Sequence, residues 1–204
     1  MIAPLRVLAL GAAALALSAC VSLLPDADPS QLYRLDAPVA VERLTPGGPA
    51  FGVAAPDADF IRAAGGDRIL TVRDNEAAYI ASARWVAPAS ALFEEAMARA
   101  FDANPGPARL VTRGEVRQAE TVLRVDVRRF EVVYDRGERG APQVAVRLRA
   151  TLVARGDRSL LAEQIFETEV RAADNRVGAI VDAFDTATGD VLTQLVDWTN
   201  RNGR

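Results

Sequence analysis

The sequence has no histidine, no lysine and a single cysteine, Cys20, among its 204 residues. Histidine and lysine are common general bases, and a Ser-His-Asp triad requires the first of them. One cysteine forms no internal disulfide, and cysteine–histidine metal sites are excluded. The chain also lacks a Walker loop, a G-x-G-x-x-G fingerprint and a G-x-S-x-G elbow. We therefore expect a protein that is not an enzyme and needs no cofactor.

The charge balance also narrows the function. All 24 basic residues are arginine, and they stand against 27 acidic residues, for a formal net charge of −3. A nucleic-acid-binding protein usually has a basic face or stripe, so this balance disfavours such a role. Half of the residues are apolar and a quarter are charged, which is typical of one globular domain.

Three groups of carboxylates deserve consideration as chemical sites. Glu94-Glu95 and the trio Glu163, Glu167 and Glu169 offer acid–base pairs for glycoside chemistry, but no aromatic cleft accompanies them. Asp182, Asp185 and Asp190 on a predicted helix offer a carboxylate metal site. In each case surface charge explains the pattern better. Cross-strand pairing of Arg147 and Arg149 with Glu167 or Glu169 is likewise favoured over a patch for lipid headgroups.

The N-terminus predicts export and lipidation. Arg6 precedes an uncharged run, Val7 to Leu17, which is too short to span a membrane and matches the apolar region of a signal peptide. Leu17-Ser18-Ala19-Cys20 resembles the bacterial lipobox. The resemblance implies that residues 1–19 are removed and that Cys20 becomes a diacylglyceryl-modified N-terminus. The alternative is an ordinary secretory signal with an incidental cysteine.

The rest of the chain divides into a tether, residues 20–30, and one domain, residues 31–204. Alternating or continuous apolar residues predict strands. Two helical faces follow the 3.6-residue period, one from Pro88 to Phe101 and one from Val177 to Trp198. Strands are expected at Gln31–Leu35, Phe51–Ala54, Arg68–Arg73, Ala77–Trp85, Leu110–Val111, Leu123–Val132, Val144–Leu152 and Leu160–Val170.

These elements predict an α+β fold, a mainly antiparallel sheet with two helices packed on one face. The alternation of apolar residues changes phase in one long strand. Leu123, Val125 and Val127 alternate with polar residues, but after Arg128-Arg129 the apolar positions move to Phe130 and Val132. A β-bulge at this point would keep all of these side chains on one face.

The order of motifs resembles a known family. The lipobox is followed by Tyr33-x-Leu35, the strand–turn–strand from Arg68 to Ile80, Arg84-Trp85 before a helix, a three-strand meander and a long final helix. This order is similar to that of the ABC-type transport auxiliary lipoproteins, which accompany MCE-domain lipid transport systems. The resemblance implies an α/β domain that docks to an MCE-domain protein and performs no catalysis.

The resemblance also implies a location and a docking region. Val21 follows the modified cysteine at the position where, in enterobacteria, an aspartate would favour retention in the inner membrane. The periplasmic face of the outer membrane is therefore expected, and the inner membrane is the alternative. Tyr33, Leu35 and Trp85 are candidate docking residues. Tyr33 and Leu35 would accept a partner by strand addition or would simply close the sheet. The alternatives are an outer-membrane assembly lipoprotein, a lipid-binding lipoprotein acting alone with an apolar pocket between helices and sheet, and a periplasmic hydrolase.

Overall fold

The computed structural model describes residues 30–37, 49–104, 106–111 and 119–204. The predicted signal peptide, Cys20 and all but the last residue of the tether lie outside these ranges. The described residues form one nine-stranded sheet and two helices. In chain order the elements are β1 (Gln31–Tyr33), β2 (Phe51–Ala54), β3 (Asp59–Phe60), β4 (Arg68–Arg73), β5 (Glu76–Trp85), α1 (Ala89–Ala103), β6 (Ala108–Leu110), β7 (Ala119–Val133), β8 (Gln143–Ala154), β9 (Leu160–Arg171) and α2 (Val177–Asn202).

Strand β7 organises the sheet because it is long enough to pair with several strands. On one side it pairs in succession with β2, β3 and β4, and on the other side it pairs along its length with β8. From β4 the sheet continues through β5 to β1, and from β8 it continues to β9. Next to β7, β2 pairs in turn with β6, and among the described residues β1, β6 and β9 are the edge strands.

The expected α+β fold is confirmed, but the sheet is more mixed than antiparallel meanders alone would make it. The pairs β4–β5, β7–β8 and β8–β9 are antiparallel, as the short connections predict. The short strands behave differently, because β1 pairs parallel to β5, while β2 and β3 pair parallel to β7. Strand β3 was missed, since two residues carry no readable alternation.

The predicted bulge in β7 is also confirmed. Val127 lies opposite Leu148, whereas Arg129 lies opposite Arg147, so the register shifts between Val127 and Arg129. The extra residue lets Phe130 return to the face already occupied by Val127. Both side chains are therefore buried, at 1% and 0% exposure.

Both helices cover the same face of the sheet, which we call the covered face. Phe93 of α1 and Phe130 of β7 both contact Phe60, with ring centroids 5.9 and 5.4 Å apart. Phe184 of α2 stacks on Phe130 at 4.7 Å. Burial of such side chains contributes roughly 1.5–3 kcal/mol each, so this aromatic cluster is a main source of stability.

Both helices lie close to their predicted positions. Pro88 precedes α1 and supplies no side-chain cap, and the helix stops before Asn104 as the Asn-Pro-Gly-Pro run predicts. Helix α2 runs about a turn past Trp198, to Asn202. Its end is fastened to the sheet by two hydrogen bonds: the Thr121 hydroxyl donates to the Gly203 carbonyl at 2.6 Å, and the Ala108 amide donates to Asn200 at 2.9 Å.

Candidate functional site

The sequence-predicted docking residues meet at one edge of the sheet. Tyr33 of β1 lies opposite Trp85 at the end of β5, and the Val86 amide donates a hydrogen bond to the Tyr33 carbonyl at 2.7 Å. The structure therefore brings Tyr33 and Trp85 together, although they are far apart in sequence. The pairing closes the sheet on the β5 side and leaves the other side of β1 as an edge within the described residues.

Two of these residues have their side chains in the core. Trp85 is 2% exposed and contacts Phe184 edge-on at 5.2 Å, while Leu35 is 4% exposed. Their side chains thus brace the edge from inside, whereas Tyr33 is half-buried. Leu32 is the exposed apolar side chain of β1, at 59% exposure, next to the exposed polar Gln31. Sequence reasoning missed Leu32, because alternation in a three-residue strand does not tell which face is outward.

The chain after β1 is clamped between the helices. Asp185 of α2 accepts hydrogen bonds from the Asp36 amide at 2.7 Å and the Ala37 amide at 3.4 Å. Arg99 of α1 donates to the Leu35 carbonyl at 3.2 Å. Burial raises the pKa of the Asp185 carboxyl, against the opposing effect of these amides. The segment nearest the expected membrane anchor is therefore tied directly to both helices.

The opposite face of the sheet, which we call the open face, has no helix on it among the described residues and carries a ladder of ion pairs. Arg129 pairs with Glu131 and Glu167, both at 2.9 Å, and with Glu169 at 3.1 Å. Arg147 lies directly opposite Glu167 and approaches it at 3.7 Å. The predicted cross-strand pairing is therefore present for Arg147, whereas Arg149 pairs with Glu163 and not with Glu167 or Glu169, because Ile165 lies directly opposite it.

The ladder continues toward both ends of the β7–β8 pair. Arg171 binds Asp135 near the β7–β8 loop, at 2.7 Å between Nη2 and Oδ2, and holds the pKa of that carboxyl below its ordinary value. Arg149 pairs with Glu163 toward the other end, and this pairing lowers the pKa of Glu163.

A groove of about 460 Å³ opens beyond the last ion pair of this ladder. It lies between the chain that follows β2, the beginning of β7 and the β8–β9 turn. The volume falls within the roughly 300–1,000 Å³ typical of small-molecule sites. The groove is lined by Ala54, Ala55, Pro56, Asp57, Val111, Val122, Arg124, Val153, Ala154, Arg155 and Arg158.

Several of the carboxylates that the sequence offered as chemical sites instead form hydrogen bonds or ion pairs within the protein. Glu94 accepts a hydrogen bond from the Ala58 amide at 3.0 Å, and Glu163, Glu167 and Glu169 belong to the ladder. Across the described ranges, no three acidic, histidine or cysteine side chains group as a metal site would require. Nor do those ranges contain a helix long and apolar enough to cross a membrane.

Comparison with known proteins identifies the family. The model of the ABC-type transport auxiliary lipoprotein component matches residues 33–196, which runs from β1 into α2. The chain belongs to this family, as the order of its motifs predicts. The family description names its members as auxiliary lipoprotein components of ABC-type transport systems. Among curated proteins, no relative of this chain is found.

Solved structures support the same fold. The protein XCC0632 from Xanthomonas campestris is 25% identical, with a TM-score of 0.74, and the alignment covers 85% of this chain and 97% of that one. The hypothetical protein CT253 from Chlamydia trachomatis is 15% identical, with a TM-score of 0.52, over 76% of this chain and 98% of that one. The second likeness concerns the fold alone.

Proposed function

We propose that this protein is a lipid-anchored periplasmic accessory of an ABC transport system that moves phospholipid-like molecules between the inner and outer membranes. Its partner is an MCE-domain protein, and it acts by docking, without catalysis. The observation that carries the proposal is the family match, which extends over residues 33–196 and so includes nearly all of the described domain. A separate ATPase supplies energy, since the sequence has no Walker loop.

The anchor in this proposal is Cys20, on the periplasmic face of the outer membrane. Two or three acyl chains hold a protein stably in a bilayer, because each buried CH₂ contributes about 0.8 kcal/mol. The segment from Cys20 to Gln31 spans at most roughly 40 Å when fully extended. The anchor therefore keeps β1 within a short distance of the membrane, where the end of a partner that bridges the periplasm would arrive.

The docking edge in this proposal is β1. Its backbone offers hydrogen-bonding groups along the side away from β5, which suits the addition of a strand from the partner. Leu32 adds an exposed apolar side chain at the same place. Leu35 and Trp85 hold the edge rigid from within the core, and the ties from Asp185 and Arg99 fix the chain that follows.

The test is site-specific photo-cross-linking in living cells, with a photoreactive amino acid at Leu32. Leu160 is the matched control, because it is equally exposed, at 62%, and lies on the opposite edge strand, β9. We expect the Leu32 probe to capture an MCE-domain protein and the Leu160 probe to capture none. Recovery of a β-barrel assembly protein at Leu32 would instead favour the assembly-lipoprotein alternative.

The anchor has its own test. Cys20→Ser removes the only thiol that can be acylated, so the variant should no longer incorporate labelled palmitate, and it should keep residues 1–19 because the cut before residue 20 follows acylation. Separation of the two membranes by density then locates the unaltered protein. A Cys20→Ser protein that still incorporates palmitate, or that is still cut before residue 20, would contradict lipidation at this residue.

A further inference from the structure

Two arginines that line the groove on the open face, Arg124 and Arg158, form no ion pair within the part of the chain that the structure describes. Arg124 of β7 lies opposite Thr151 of β8, a neutral residue. The next residue across, Glu163 of β9, already pairs with Arg149. Among the described residues, neither Arg124 nor Arg158 forms an ion pair, whereas Arg129, Arg147, Arg149 and Arg171 all do.

The lining of the groove therefore combines positive charge with apolar walls. Three arginines and one aspartate line it, in a protein whose overall charge is negative. The floor between Arg124 and the turn is formed by Val122 and Val153, which face each other across β7 and β8. An anion bound here would meet two guanidinium groups next to an apolar surface.

The backbone at Arg158 is a second, independent observation. Its φ is +60°, in the left-handed region that long side chains rarely adopt. The surrounding turn holds it there, because the Ala154 amide donates to the Ser159 carbonyl at 2.9 Å and Asp157 accepts bonds from the Ser159 amide and hydroxyl. Such strain is often kept at binding sites, and here it belongs to a residue that lines the groove.

We infer that this groove binds the phosphate-bearing headgroup of a phospholipid, with the phosphate between Arg124 and Arg158 and the adjoining glycerol and first methylenes against Val122 and Val153. The choice of a lipid over another phosphate ester rests on the proposed function. The groove itself argues for an amphiphile, because a free phosphate would fill a small part of 460 Å³ and would leave the apolar walls in water.

The test uses the full-length lipidated protein in non-ionic detergent. A phosphatidylglycerol with a photoreactive group near its headgroup is added, and labelled peptides are identified by mass spectrometry. We expect labelling within β7, near Arg124, and within the β8–β9 turn. The double variant Arg124→Gln/Arg158→Gln should lower this labelling at least fivefold. Both arginines are exposed, so the variant should retain its thermal transition.

The matched control removes the same charge from the other end of the β7–β8 hairpin. Arg136 and Arg139 lie in the loop near Asp135, are exposed, and lie outside the groove lining. Arg136→Gln/Arg139→Gln should leave labelling unchanged. Equal labelling of the two double variants, or labels that map elsewhere, would overturn the assignment.

Competition by unlabelled compounds distinguishes binding of a phospholipid headgroup from binding of free phosphate. Unlabelled phosphatidylglycerol should compete, whereas diacylglycerol should not, because it lacks the phosphate. Competition by inorganic phosphate at the same concentration as the lipid would overturn the lipid assignment and indicate a simple anion site. Because no partner protein is present in this experiment, absence of headgroup labelling in the unaltered protein would refute lipid binding in the groove and leave the proposed function standing. Failure to capture an MCE-domain protein at Leu32 would refute the proposed function and leave the labelling result standing.

Discussion

On the covered face, aromatic side chains of the sheet pack against aromatic side chains of the helices. On the open face, arginines pair with carboxylates of neighbouring strands. Phe130 and Arg129 are adjacent in β7, yet one touches Phe184 of α2 and the other binds three glutamates. The covered face is the source of the fold's stability, because apolar burial dominates folding. The open face contributes little stability, since exposed ion pairs are weak. It is therefore free to carry recognition.

The largest expected effect comes from the covered face. Phe130→Ala removes the ring that joins Phe60, Trp85 and Phe184, and should lower the free energy of unfolding by about 3–5 kcal/mol. The free energy is measured by unfolding in urea, with fluorescence and circular dichroism as the two probes of the transition. Ile165→Ala is the control, because Ile165 is a large apolar residue on the open face and is 45% exposed. It should change stability by about 0.5 kcal/mol. Similar losses for the two variants would refute the contrast between the faces.

A smaller effect, of opposite sign, is expected in the β8–β9 turn. Arg158→Gly relieves the left-handed backbone and should raise the free energy of unfolding by about 1 kcal/mol. Asp74→Gly is the comparison, because Asp74 also has a positive φ, of +52°, but aspartate tolerates that region better. Asp74→Gly should therefore raise the free energy of unfolding by less than Arg158→Gly does. If Arg158→Gly is more stable and also loses lipid labelling, then the strain is retained for binding. A loss of stability would contradict this explanation.

The smallest effects concern the pH dependence of the free energy of unfolding, to which Asp185 and Asp135 should contribute in opposite directions. Burial raises the pKa of Asp185 above its ordinary 3.8, so protonation favours the folded state. The stability from Asp185 is complete below the unfolded pKa and is lost as pH rises through the folded pKa. The hydrogen bond from Arg171 lowers the pKa of Asp135 below 3.8, so its stability is present above the unfolded pKa and is lost as pH falls through the folded pKa.

The asparagine variants isolate these two contributions. Unfolding free energy is measured from about pH 2.5 to about pH 6 for the unaltered protein, Asp185→Asn and Asp135→Asn. Relative to the unaltered protein, Asp185→Asn should gain stability as pH rises above 3.8, and Asp135→Asn should lose stability over the acidic part of the range, as the native carboxylate ionises. Parallel curves for the three proteins would show that neither carboxyl has the stated shift.

The periodicity of the sequence determined most of the secondary structure. Alternation marked β8, the helical period marked α2, and the change of phase at Arg128-Arg129 located the bulge to within a residue. These signals are local, because a strand or helix with one buried face must place its apolar residues at the matching spacing. The order of these elements, together with the lipobox, Tyr33-x-Leu35 and Arg84-Trp85, predicted the family that the family model confirms.

The tertiary structure decided which strands pair and in which direction, and therefore which side chains meet. The short strands β1, β2 and β3 run parallel to long strands distant in sequence, and no local pattern encodes such partners. The register across β7, β8 and β9 places Glu163 within ion-pair distance of Arg149 and places Arg124 opposite Thr151. Burial of Trp85, exposure of Leu32 and the groove at Arg158 all follow from that pairing, because a side chain's surroundings depend on chain segments that its own neighbours in sequence do not specify.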